Sequence, residues 1–77
     1  MNNTPRILAS FPRTNGSEVR LMRKQYRGKV LVDLRLYWLN KSGEWQATRK
    51  GATLKPEELP ELIRALSALV QEGGHHA

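Results

Sequence analysis

Tyr26 stands beside Arg27, Trp38 three residues after Arg35, and Trp45 four residues before Arg49. Aromatic rings interleaved with cations suit one chemistry well. The bases of a single nucleic-acid strand are unstacked and lie on aromatic faces, while Lys and Arg hold the phosphates. Each base–aromatic stack contributes about 1–3 kcal/mol by truncation. Every ring also has a packing alternative. The pattern packs Tyr37, leaves Trp45 open between packing and contact, and favours ligand contact for Tyr26, which ends a basic face next to a turn. Periodicity buries Trp38, which lies on an apolar parity.

The charge distribution points the same way. The 77 residues carry 13 Lys/Arg against 7 Asp/Glu, a net +6. Residues 1–56 hold twelve bases and three acids (Glu18, Asp33, Glu44), hence +9; residues 57–77 hold Arg64 and four glutamates, hence −3. Such asymmetry calls for an anionic partner on one side of the molecule, and nucleic acid is the commonest.

Other chemistries lack their residues. With no cysteine there are no disulfides and no thiolate metal sites. The two histidines, His75 and His76, fall only at the end of the chain, so a serine nucleophile has no base. They read as a flexible tail or expression remnant rather than a metal site. Asp33 reads as a local ion pair with Arg35. Arg49-Lys50-Gly51-Ala52-Thr53 has the wrong spacing for a phosphate-binding Walker loop. The expectation is a non-enzymatic protein with no metal and no cofactor. No apolar run approaches the ~20 residues of a membrane span. Residues 1–5 lack the layout of a secretory signal, so a cytoplasmic location is expected.

These side chains need elements to hold them. Residues 1–17 read as an N-terminal arm, either flexible or holding a short edge strand at 6–11. Residues 18–72 read as one domain and 73–77 as a tail. Residues 18–26 alternate as a strand with Arg20, Met22, Lys24 and Tyr26 on one face. Residues 29–39 are the strongest strand signal, rich in β-branched and aromatic types, and long enough to curve. Glu44–Thr48 and Ala52–Leu54 read as two further strands joined by Arg49-Lys50-Gly51, completing an antiparallel meander. A helix follows. Leu59, Leu62, Ile63, Leu66, Leu69 and Val70 form one apolar stripe at helical spacing. Pro60 makes the first turn irregular, or else starts the continuous helix.

Gly28-Lys29-Val30-Leu31-Val32-Asp33-Leu34-Arg35-Leu36-Tyr37-Trp38, then Gly43-Glu44, then Arg49 to Glu57 closely resemble the transcriptional coactivator family typified by positive cofactor four, bacterial relatives included. The resemblance covers roughly residues 18–70. It implies an α+β fold, a curved four-stranded antiparallel sheet followed by one C-terminal helix, in a homodimer. It implies binding of single-stranded or melted DNA. Carried over residue by residue, the DNA contacts it implies are Lys24, Tyr26, Arg27, Lys29, Arg35, Trp38, Arg49, Lys50 and Gly51. This reverses the burial expected for Trp38. Arg35 and Trp38 are three apart, so the resemblance also calls for a bulge or bend between them.

The chain departs from the family pattern at several places. Tyr26 replaces the usual phenylalanine and still stacks. Arg27 replaces a lysine and adds a planar cation. Lys55 replaces an Asn, Ser or Thr helix cap, at a cost of about 1 kcal/mol. Residues 1–17 do not match the Ser/acidic tail of eukaryotic members.

The sequence therefore leads to a homodimeric single-stranded DNA-binding protein, weakly sequence-specific, nucleoid-associated, acting in transcription regulation or on melted duplex. The helix stripe is expected to pack on the sheet and across the two-fold. Two alternatives stand beside it: an RNA-binding module, and a protein-interaction module using the acidic amphipathic helix. Contact with transcription machinery belongs with the first reading. Binding to anionic membranes is the weakest, because the amphipathic helix is acidic.

Overall fold

Residues 29–39 alternate Val, Leu and Trp with Asp, Arg and Tyr, and the fold is built outward from this segment. The computed structural model describes residues 5–73. Strands β1 (Arg6–Pro12), β2 (Glu18–Tyr26), β3 (Lys29–Leu39) and β4 (Trp45–Leu54) form one antiparallel sheet in the order β1-β2-β3-β4. A 3₁₀ turn (Pro56–Glu58) leads into helix α1 (Leu59–Gly73). Among the described residues no helix is long and apolar enough to cross a membrane. His75 and His76 lie outside the described residues.

Turn chemistry sets the order. Between β2 and β3 the two-residue turn has Arg27 at φ 51° and Gly28 at φ 78°. Positive φ at both central positions matches the twist of paired strands. Glycine adopts it freely, whereas Arg27 does so against its β-carbon. Between β3 and β4, Asn40 Oδ1 accepts hydrogen bonds from the backbone N–H groups of Ser42 and Glu44, both at 2.9 Å. An asparagine side chain satisfying the turn in this way is a strong turn former.

Of the two readings of the N-terminal arm, the edge strand at 6–11 is present as β1, paired along β2. One detail of the strands differs from expectation. The segments 44–48 and 52–54 are one strand, β4, not two strands with a link. Thr48-Arg49-Lys50 instead forms a bulge within it, and Gly51 resumes the pairing. Arg35 pairs with Gly51 and Tyr37 with Ala47, so Leu36 alone on β3 faces Thr48, Arg49 and Lys50 on β4. The bulge is stitched by Thr48, whose Oγ1 donates to the Leu36 carbonyl at 2.9 Å and accepts the Lys50 N–H at 3.1 Å. The irregularity falls where the Arg35–Trp38 spacing called for one, but its extra residues are on β4. Against β2, β3 pairs without interruption from Lys29 to Tyr37.

The helix also differs. Pro60 sits in the first turn of α1, where its missing N–H has no partner to lose. The turn before it is 3₁₀, held by Glu58 N–H to the Lys55 carbonyl at 2.9 Å. Lys55 has no side-chain acceptor with which to cap. Its own N–H donates to Glu58 Oε1 at 2.8 Å. From there α1 leaves the sheet rather than packing on it, and none of its residues is buried. Along the stripe, Leu66 is 51% exposed and Val70 63%. The reason is that one chain supplies one layer: among the described residues the buried hydrophobic ones are Met22, Val32 and Tyr37. Stable domains pack at least two layers.

Gly51 holds β4 against β3 at the bulge. A β-carbon there runs into the Leu34 carbonyl oxygen and lies 2.7 Å from the Arg35 Cα. Backbone cannot yield as a flexible side chain does. Gly51→Ala is therefore expected to cost about 1–3 kcal/mol, read as a fall in melting temperature of about 5 °C or more. An unchanged melt removes the close approach as a constraint.

Candidate nucleic-acid interface

Side chains of directly paired residues share a face of the sheet. The register pairs Tyr26 with Lys29, Lys24 with Leu31, Met22 with Asp33, Arg20 with Arg35 and Glu18 with Tyr37. This is the polar face, and on β4 it continues through Thr53, Gly51 and Trp45. The opposite face carries Val19 paired with Leu36, Leu21 with Leu34, and Trp38 with Gln46. It is mainly apolar and open: Leu34 and Trp38 are each 42% exposed.

The residues singled out from sequence fall into three groups. Lys24, Tyr26, Lys29 and Arg35 share the polar face, with Arg27 on the turn at its end. Tyr26 is 60% exposed, and the Arg27 guanidinium carbon lies 5.3 Å from its ring centroid. Arg49 and Lys50 are exposed on the β4 bulge, beside Gly51. Trp38 stands alone on the opposite face, because β3 alternates regularly.

Asp33 joins the first two groups. Its carboxylate is 1% exposed and accepts from Arg35 through Nε and Nη2, each at 3.0 Å. Thr53 Oγ1 donates to it at 2.7 Å and Lys24 Nζ lies 3.4 Å away. Arg35 turns its remaining arm to the Thr48 carbonyl at 3.1 Å. A continuous path thus runs from a buried carboxylate through Arg35 to the bulge that carries Arg49 and Lys50. Arg35 is as much a brace as a contact.

A second cluster was not singled out from sequence as a site. Arg20 Nε donates to Glu18 Oε2 at 2.5 Å. Its guanidinium carbon lies 4.8 Å from the Tyr37 ring centroid and 4.9 Å from that of Trp45. Alternation put Arg20 on the basic face of β2. Its meeting with Tyr37 and Trp45 depends on cross-strand register, which a local pattern does not contain.

The whole arrangement is an electropositive sheet face with an exposed ring at its turn. It holds no nucleophile–base pair among the described residues. A family model described as Transcriptional Coactivator p15 (PC4) matches residues 14–65. That span includes every candidate DNA contact and ends within α1. A PC4 homolog from Burkholderia pseudomallei is similar in its orthorhombic crystal form, at 27% identity over 95% of this chain and 99% of that one, with a TM-score of 0.76. Its tetragonal form gives 27% identity, 86% and 97% coverage and a TM-score of 0.74. A bacteriophage T5 homolog of the eukaryotic coactivator PC4, implicated in recombination-dependent DNA replication, shares the fold at 24% identity. It covers 94% of this chain and 81% of that one, with a TM-score of 0.72.

Asp33 links the site to pH. Burial alone raises a carboxyl pKa. Hydrogen bonds from Arg35 and Thr53 and the charges of Lys24 and Arg35 outweigh it, and the pKa falls from 3.8 to about 2. The lowered pKa favours folding where the unfolded carboxyl is ionised, above about pH 4, and that contribution is lost as pH falls through about 2. The stability gap between wild type and Asp33→Asn is expected to narrow by about 2 kcal/mol between pH 6 and pH 2 in urea unfolding. A gap independent of pH contradicts the linkage.

Proposed function

From the premise that this chain belongs to the transcriptional coactivator p15 (PC4) family, we propose that it binds single-stranded DNA as a homodimer. The observation that carries the reading is the shared polar face: an exposed Tyr26 ring among Lys24, Arg27 and Lys29, continuous through Arg35 with the Arg49/Lys50 bulge. Bases stack on Tyr26 while the cations hold phosphates. A single strand passing over the open edge of β4 meets Trp38 on the far side, which gives that ring its role. Gly51 keeps the bulge close to β3, so Arg49 and Lys50 project from a defined point. No side-chain pair on the face is arranged to read a base edge, so sequence preference is weak. The function involves no catalysis and no cofactor. It suits transcription regulation, or the handling of melted duplex, in the cytoplasm at the nucleoid.

The dimer supplies the missing layer. The α1 stripe and the apolar sheet face are both open in one chain, and a second copy covers the stripe and the Leu21/Leu34 stretch of that face, leaving the Trp38 end of β3 to the strand. Burying such residues contributes about 25 cal/mol per Å² of apolar surface.

Two measurements test this reading. Sedimentation equilibrium is expected to give twice the chain mass at micromolar concentration; a monomer rejects the dimer. Anisotropy of labelled oligonucleotides at several salt concentrations is expected to show single-stranded DNA bound more tightly than duplex. With about five phosphates neutralised, the slope of log K against log salt lies near −3.5. Trp38→Ala is expected to weaken binding by about 1–3 kcal/mol without unfolding the protein. Equal or tighter duplex binding sinks the single-strand claim. Tighter binding of RNA gives the site to RNA, and no binding of either leaves the exposed helix as a protein-docking surface.

A further inference from the structure

The chain has two tryptophans, and the sheet divides them. Trp38 shares its face with Leu34 and Leu36. Trp45 shares its face with Tyr26, Lys24 and Arg35, at the opposite end of β3: Tyr26 pairs with Lys29 and Trp45 lies opposite Leu39. Ten residue steps of strand separate the two rings, about 33 Å at ~3.3 Å per residue. The Lys24–Asp33–Arg35 brace lies between them.

Three features set Trp45 apart from a packing residue. It is 37% exposed, on the charged face. Its orientation is held by a cation: the Arg20 guanidinium lies 4.9 Å from its centroid and 4.8 Å from that of Tyr37. Arg20 itself is only 14% exposed in its side chain and is neutralised by Glu18, 15% exposed. Arg20 is thus committed to the rings rather than free to hold a phosphate. A desolvated cation–π contact of this kind fixes a ring at up to about 2 kcal/mol per contact. A ring held in place before the ligand arrives loses little freedom on binding.

We propose that Trp45, fixed by Arg20, is a base-stacking platform at the end of the polar face opposite Tyr26. Resting on the single-strand reading above, it lengthens the track from one turn of the sheet to the full length of β3. A single strand stacks at Tyr26, lays its phosphates along Lys24 and the Arg49/Lys50 bulge, and stacks again at Trp45 before passing the β4 edge. Arg20 is a positioning residue for this platform.

Because tryptophan emission reports stacking, each ring can be read alone. In Trp38→Phe only Trp45 emits, and saturating oligo(dT) is expected to quench it. Trp45→Ala is expected to bind a labelled single strand about five- to a hundred-fold more weakly than wild type. If the labelled strand binds Trp38→Phe while Trp45 emission stays constant, or if Trp45→Ala binds as wild type does, the platform is rejected and the single-strand reading stands. If wild type binds no single strand, both fall. Should Trp45→Ala fail to fold, the Trp38→Phe quench decides alone.

Discussion

A carboxylate inside a one-layer sheet must be neutralised by its own neighbours, and Asp33 is such a group. Breaking one partner of a buried ion pair leaves an uncompensated charge and costs several kcal/mol. The chain therefore holds Arg35 in a two-point contact with Asp33 and adds Thr53 and Lys24. These ties cross β2, β3 and β4. They hold the strands together on the face that also carries the buried Met22 and Tyr37. The same ties set the bulge. Arg35 reaches the Thr48 carbonyl, and Thr48 in turn fixes Leu36 and Lys50. The cations that project from β4 are placed by a charge that never meets solvent.

The two faces divide the work. One is polar, internally braced and open to a ligand. The other is apolar and incomplete, as is the stripe of α1. In an ordinary small domain the helix closes over the sheet. Here the 3₁₀ turn at Pro56–Glu58 sends it away, and among the described residues three hydrophobic side chains are buried. The proposed second copy would be the missing layer, and pairing through α1 and the middle of the apolar face would leave both polar faces and the Trp38 end of β3 open.

Much of this was legible from residues alone. Alternation marked β2 and β3, and turn residues marked their ends. The Leu/Ile spacing marked α1, and Arg20, Met22, Lys24 and Tyr26 were placed together by parity. The Asp33–Arg35 pair was legible because the two lie two apart on one strand. β4 was misread as two strands because Arg49-Lys50-Gly51 carries a turn-like composition; its continuity depends on a glycine that lets two backbones meet, a property of the pair of strands. The position of α1 was misread because an apolar stripe says that a partner exists, not that the partner is the chain's own sheet.

The sequence by itself determined the elements, the sign and location of the charge, and the kind of ligand suited to rings among cations, since these depend on residue type and short-range period. Only the tertiary structure decided which rings share a face. It separated Trp38 from Arg35, joined Trp45 to Arg20 and Tyr37, and tied Arg35 to the Thr48 carbonyl on β4. The physical reason is register. A pairing offset of one residue moves a side chain to the other side of the sheet, and that offset is settled by bulges and cross-strand bonds between residues far apart in the chain.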